Sequence, residues 1–147
     1  MTDTRIRTLL ETPGRWAVVG LSTNRARAAY DVAAYLQSLG HEIVPVHPRA
    51  ETVHGAQGYA SLAQVPGRLD VVDVFVGSAR AGAVIRAAVD LGVPAVWLQL
   101  GVHDDAAERA AREAGTLLVT DTCPKIEGAR LGLGLVPRPR PVPPAQA

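Results

Sequence analysis

Trp16-Ala-Val-Val-Gly-Leu-Ser22, followed by Thr23-Asn-Arg-Ala-Arg27 and an apolar helical pattern from Ala28 to Leu39, is the stretch on which the fold of this chain turns. It reads as strand, tight turn and helix. Gly20 lets the chain turn with no Cβ in the way, and Gly20, Leu21 and Ser22 lead into a helix whose first backbone N–H groups are free to hold an anion. Arg25 and Arg27 add positive charge at that mouth. A buried strand ending in glycine opens many α/β domains, so the neighbouring segments decide what the turn is for.

On the N-terminal side, Ile6, Leu9 and Leu10 sit at helical spacing, and Thr12-Pro-Gly14 ends a short leading helix over 4–11. After the turn, Val32, Ala33, Leu36 and Leu39 form an apolar stripe, and Gly40 stops the helix. Glu42-Ile-Val-Pro-Val-His47 is a second strand, with Pro45 unable to donate a ladder hydrogen bond, so pairing there is irregular or unusual. Residues 49–69 break the pattern. They read as connection, with a short extended piece near Thr52-Val53 and a helical turn at Ser61-Leu62-Ala63. Asp70-Val-Val-Asp-Val-Phe-Val76 is apolar at nearly every position, as a strand covered on both faces should be. Helix 79–91, strand 95–98, helix 104–114 and strand 116–120 follow in alternation. This order predicts an α/β, doubly wound, mainly parallel Rossmann-like sheet of about five main strands with helices on both faces.

The chain has 147 residues, which fits one domain over 1–134, and a proline-rich tail over 135–147 expected to be extended or disordered. With 15 basic and 14 acidic residues and a net charge of +1, it carries no global field for nucleic acid or an anionic membrane. Cys123 is the only cysteine, which excludes an internal disulfide, and no Cys/His cluster has metal-ligand spacing. The N-terminal sequence lacks a leader pattern and no stretch approaches the ~18 apolar residues of a membrane span, so a cytoplasmic location is expected.

In such sheets the ligand lies beyond the carboxyl ends of the strands. The loops to inspect are Gly20-Leu-Ser22, His47-Pro-Arg49, Val76-Gly-Ser78 and Gln99-Leu-Gly101. The glycine fingerprint of dinucleotide sites is absent, since Ser22 and Arg25 stand where further glycines would be. No acid is expected after the second strand to grip ribose hydroxyls; His47-Pro48-Arg49 stands there and suits a phosphate-bearing ribose, leaving NADP and coenzyme A both open. The Walker pattern is missing too, which disfavours phosphoryl transfer.

Gly20-Leu-Ser22, Val32-Ala-x-Tyr-Leu36, Pro45-Val-His-Pro48, Tyr59-x-Ser-Leu62, Val72-Asp-Val-Phe75, Trp97-Leu-Gln-Leu-Gly-Val102 and Cys123-x-x-Ile-Glu127 occur in this order. Over residues 15–130 the chain thereby resembles the small stand-alone CoA-binding domain proteins, which are similar to the Rossmann-like CoA-binding domain of the succinyl-CoA synthetase α subunit. The resemblance implies a coenzyme A or acyl-CoA ligand. It implies Gly20, Leu21 and Ser22 under the pyrophosphate, Arg27 with Arg25 as phosphate cations, and His47, Pro48 and Arg49 beside the adenosine or its 3′-phosphate. Phe75, Val76, Gln99 and Gly101 would line the opposite wall. The chain departs from the family pattern at Ala28-Ala29, where Pro-Ser is common, at His47 for Asn, and at Val76 and Thr122 for arginines; Arg25, Arg49 and Arg80 lie in neighbouring loops.

Several of these residues have plain structural uses. Ser22 suits a helix-start hydrogen bond, Asp73 inside an apolar strand requires a partner, and Gln99 can bind loop backbone. Trp97 reads as core, Cys123 as a small buried hydrophobe, and Glu127 with Arg130 as a surface or helix-end pair. No loop offers a nucleophile with a paired acid and base. The leading expectation is a non-enzymatic module that binds a small-molecule nucleotide, CoA or acyl-CoA. The alternatives are an enzyme acting on a CoA thioester or an NADP-type nucleotide, and a ligand-free Rossmann-like module for a protein partner or a second copy.

Overall fold

Strand β1 (Arg15–Val19) is flanked on both sides by parallel strands, β2 (Glu42–Val46) and β3 (Val71–Val74), in a computed structural model that describes residues 3–134. β4 (Ala95–Leu98) and β5 (Leu117–Val119) extend the sheet beyond β3, giving the order β2-β1-β3-β4-β5 with every pair parallel. The expected doubly wound Rossmann-like architecture is therefore present. The proline-rich tail lies outside the described residues.

The order of the strands explains the faces. After β1 the chain first steps to one side, through α2 (Ala28–Ser38), and then returns past β1 to build the other side through α3 (Ser78–Asp90) and α4 (Asp105–Glu113). Because right-handed crossovers on opposite sides of β1 deliver helices to opposite faces, two cores form. One holds Ala17, Val19, Val72, Val74, Val96 and Leu98 under Ala81, Ile85, Ala107 and Ala111. The other holds Trp16, Val18 and Trp97 under Val32, Leu36, Ile6 and Leu10, the last two from α1 (Asp3–Glu11). Trp16 and Trp97 are fully buried, with ring centroids 5.9 Å apart.

Pro45 is accommodated by geometry at the edge. Tyr59 N–H donates to the Pro45 carbonyl at 2.9 Å, and His47 N–H donates to the Tyr59 carbonyl at 3.0 Å. Since N and C=O of a strand residue point the same way, the missing N–H of Pro45 faces this outer segment rather than β1, and the β1 ladder is unbroken. The segment over 50–69 thus caps the β2 edge as well as connecting, with the expected extended piece reduced to a Val53–Ala56 bridge and the helical turn appearing as a 3₁₀ turn, Leu62–Gln64.

Buried His41 ties the leading helix to the sheet: Gly14 N–H donates to Nδ1 at 3.1 Å, and Nε2 lies 2.7 Å from the Leu10 carbonyl. Burial pushes its pKa down, so the ring stays neutral and Nε2 carries the proton that Leu10 accepts. A last helix, α5 (Pro124–Arg130), was not anticipated as a helix. Its Arg130 pairs with Glu127, as the spacing suggested, and also with Asp3 of α1 through two bonds of 3.1 and 2.8 Å. Gly128 lets α5 settle on α2, because a Cβ there would run into the Tyr35 side chain, whose hydroxyl donates to the Leu133 carbonyl at 2.5 Å.

Gly128→Ala should therefore destabilise the protein by about 1–3 kcal/mol through overpacking. Chemical denaturation checks this, and unchanged stability would show that α5 does not depend on that contact.

Candidate functional site

The turn after β1 sits where the sheet reverses direction, between β2 and β3. Gly20 has φ +102°, and a Cβ there would come within 2.8 Å of the Phe75 carbonyl oxygen. Its N–H donates to the Val46 carbonyl at 2.8 Å. Only glycine fits both the left-handed backbone and the approach of β3. The loop beyond it is built from its own polar groups: Ser22 Oγ accepts from Asn24 N–H at 3.2 Å, and Asn24 Oδ1 accepts from Ala26 N–H at 3.0 Å. Ser22 is buried, so this bond answers its burial cost.

Two helices begin at this point without a capping side chain. The N-cap residues are Arg27 for α2 and Gly77 for α3, and neither provides a side-chain cap. The first amides of both helices are thus open to an outside acceptor, and the helix dipoles favour a negative one.

Between these helix starts and the end of β2 lies a cleft of about 630 Å³, within the roughly 300–1,000 Å³ of small-molecule sites. Gly20, Ser22, Asn24 and Arg27 form one wall; His47, Pro48 and Arg49 with Ala60, Ser61 and Leu62 form another. Phe75, Val76 and Gly77 lead to the third, the side of α3 that carries Arg80, Ala83, Val84 and Ala87. The cleft has a cationic mouth and an apolar flank. Among the described residues Arg27 and Arg80 have no carboxylate within 4.0 Å, whereas Arg49 Nε lies 3.9 Å from Glu51. His47 Nδ1 accepts from Arg49 N–H at 3.2 Å, which leaves Nε2 as the proton-bearing nitrogen of the neutral ring.

Eight of the twelve residues anticipated for a site line this cleft: Gly20, Ser22, Arg27, His47, Pro48, Arg49, Phe75 and Val76. Four do not. Leu21 is fully buried in the α2 core, and Arg25 lies over the Tyr30 ring at 5.8 Å. Gly101 N–H donates to Asp121 at 3.0 Å, outside the cleft. Gln99 is buried and donates to Asp73 Oδ1 at 2.5 Å, which accounts for the Gln99 amide and for one of the two Asp73 oxygens. Among the described residues Asp73 Oδ2 has no partner, and burial, only partly offset by the Gln99 bond, pushes the carboxyl up to about 8.

Sequence reasoning missed Asn24 and Ser61 as lining residues and noted Arg80 only as a nearby cation. It also passed over Glu51, whose carboxylate takes Thr23 N–H at 3.2 Å and Thr23 Oγ1 at 3.1 Å, joining the loops after β1 and β2. The usable signals were an uncapped helix start after Gly77 for Arg80 and an acid a few residues beyond β2 for Glu51. Among the described residues no His, Cys, Asp or Glu group is arranged to hold a metal ion, and no helix is long and apolar enough to cross a membrane.

Comparison with known proteins gives a match to the family described as CoA binding domain over residues 14–129. The uncharacterized protein YneT of Bacillus subtilis is 32% identical over 124 residues, covering 84% of this chain and 92% of that protein. Among solved structures, Prb, a protein redesigned for binding, is 36% identical with a TM-score of 0.85, over 92% of this chain and 96% of its own. A hypothetical protein from Pyrococcus horikoshii OT3 is 34% identical with a TM-score of 0.84, over 89% of this chain and 92% of that one.

Two outcomes follow from the geometry. Inorganic pyrophosphate should raise the unfolding temperature, and Arg27→Ala or Arg80→Ala should each weaken its binding about tenfold, as expected for losing a charge-assisted bond; equal shifts in all three proteins would move the anion elsewhere. Asp73 binds its proton more tightly folded than unfolded, the carboxyl rising from 3.8 to about 8. Its contribution to stability is thus lost as pH rises across that window, by at most about 1.4 kcal/mol per pH unit. Stability of Asp73→Asn relative to the parent should therefore increase from pH 5 to pH 8, and parallel pH curves would contradict a buried, proton-holding Asp73.

Proposed function

As the chain belongs to the CoA binding domain family, we propose that it binds coenzyme A, free or acylated, in the cleft between the ends of β1 and β3 and performs no reaction on it by itself. The observation that carries this reading is the pair of uncapped helix starts, α2 and α3, each with an arginine free of carboxylate partners among the described residues, Arg27 and Arg80. Two adjacent phosphates need two sets of donors, and a diphosphate laid across the sheet's reversal point meets both.

The apolar flank formed by Leu62, Val84 and Ala87 suits a flat base, with Pro48 at its edge. Phe75 and Val76 then lie under the start of the pantetheine arm. A binding role fits the state of the reactive groups. His47 spends Nδ1 on Arg49 N–H. Cys123 is half-buried outside the cleft lining, and burial pushes its thiol up, so it stays protonated and a poor nucleophile.

Thermal unfolding with CoA, NAD, NADP and ADP tests the proposal. CoA at 100 times its dissociation constant should add about 2.7 kcal/mol of stability, and Arg27→Ala should reduce binding by about 1.5–3 kcal/mol. A shift with NADP alone would turn the reading toward an oxidoreductase. Stabilisation by none of the nucleotides, in protein shown by mass spectrometry to carry no ligand, would leave a Rossmann-like interaction module.

A further inference from the structure

Glu51 stands five residues beyond the end of β2, after a tight turn in which Ala50 N–H donates to the His47 carbonyl at 2.7 Å and Ala50 itself has φ +48°. Its two carboxylate oxygens are both engaged by Thr23, at 3.2 Å through N–H and 3.1 Å through Oγ1, and Oε1 lies 3.9 Å from Arg49 Nε. The Thr23 backbone amide, first among several causes, holds the Glu51 carboxyl below its usual range, so it is ionised at neutral pH. The negative charge is consequently held beside Arg49, which lines the cleft, and against Thr23, whose neighbours Ser22 and Asn24 line it too.

In doubly wound sheets the residues beyond β2 face the ribose of a bound nucleotide, where an acid takes hydroxyls and a cation takes a phosphate. This chain presents one of each. The Arg49 side chain is 66% exposed and that of Glu51 29%, so the anion is the less hydrated and the better anchored of the two. A phosphate near both feels attraction to a mobile, water-screened cation and repulsion from a pinned anion, and the two effects offset each other. No such offset exists at the helix starts, where Arg27 and Arg80 lack carboxylate partners among the described residues.

We infer that Glu51 sets the specificity of the cleft by cancelling Arg49, so that the site recognises the diphosphate of an adenine nucleotide and is indifferent to a phosphate on its ribose. The inference rests on the nucleotide reading above and sharpens it: the ligand class is adenosine 5′-diphosphate derivatives, with or without a 3′-phosphate.

Calorimetric titration of CoA and dephospho-CoA, which differ only in the 3′-phosphate, into the full-length protein, Glu51→Gln and Arg49→Ala tests it. Glutamine retains an oxygen for Thr23 N–H while removing the charge. The unaltered protein should bind the two ligands within about threefold of one another, and Glu51→Gln should tighten CoA about two- to fivefold and leave dephospho-CoA unchanged. Arg49→Ala should weaken CoA no more than about threefold. A preference of tenfold or more for CoA in the unaltered protein, abolished by Arg49→Ala, would overturn the inference and leave the CoA reading standing. Binding of neither ligand would overturn both. If Glu51→Gln fails to fold, a preference of tenfold or more for CoA in the unaltered protein still overturns the inference.

Discussion

The carbonyl oxygen of Phe75 comes so close to Gly20 that no side chain fits between them. That contact fixes much else. It draws the end of β3 against the turn after β1, while the bond from Gly20 N–H to Val46 draws in the end of β2 from the other side. Three strand ends are thereby held together at the one place where the sheet reverses its order, and the starts of α2 and α3 open on the resulting cleft. A bulkier residue at Gly20 would separate the strand ends and move both helix starts with them.

α2 starts without a side-chain cap because the acceptors of the loop before it are spent on the loop's own amides, and α3 does so because its N-cap residue is Gly77. Ser22, Asn24 and the distant Glu51 supply the acceptors for Asn24, Ala26 and Thr23. These bonds hold the loop in one arrangement, which would lower the entropic cost of ordering it around a ligand. The first amides of α2 and α3 receive no side-chain acceptor and face the cleft, where a helix start favours an anion. Elsewhere the same need is met within the protein: Asp104 caps α4 by accepting from Ala107 N–H at 3.0 Å, and Glu108 reaches back to Asp104 N–H at 2.9 Å. Asp104 thus closes α4, whereas α2, α3 and α5 start without a side-chain cap, and of these three α2 and α3 open on the cleft.

The parts of this arrangement legible in the sequence are those that periodicity encodes. Alternation of buried strands with amphipathic helices gave the sheet, and a glycine after β1 followed by arginines marked the mouth of the cleft. Loop directions are not periodic. Nothing in Gly20-Leu-Ser22 reveals that Leu21 turns into the α2 core while its neighbours line the cleft. Pro45 was readable as an irregularity, but its resolution required Tyr59, brought in from an unpatterned segment. α5 escaped notice because seven residues starting with Pro124 and containing Gly128 show no apolar stripe, although proline at the first helical position is itself a start signal. Glu51 was hidden for the same reason as Tyr59, since its partner lies 28 positions earlier in the chain.

Asp73 and Glu51 show how one functional group, the carboxyl, takes two roles through its surroundings. Asp73 lies inside the sheet, with one oxygen bonded to Gln99 and the other to nothing, so burial favours its neutral form. Glu51 lies at the rim, with both oxygens bonded to Thr23, so its charged form is favoured. The buried acid adds no field to the cleft at neutral pH, because its proton is retained. Glu51 keeps its charge beside Arg49, a residue of the cleft wall. The charges at the cleft are therefore those of Arg27 and Arg80, which have no carboxylate within 4.0 Å among the described residues, and of Arg49, which stands beside Glu51, together with the open amides of α2 and α3.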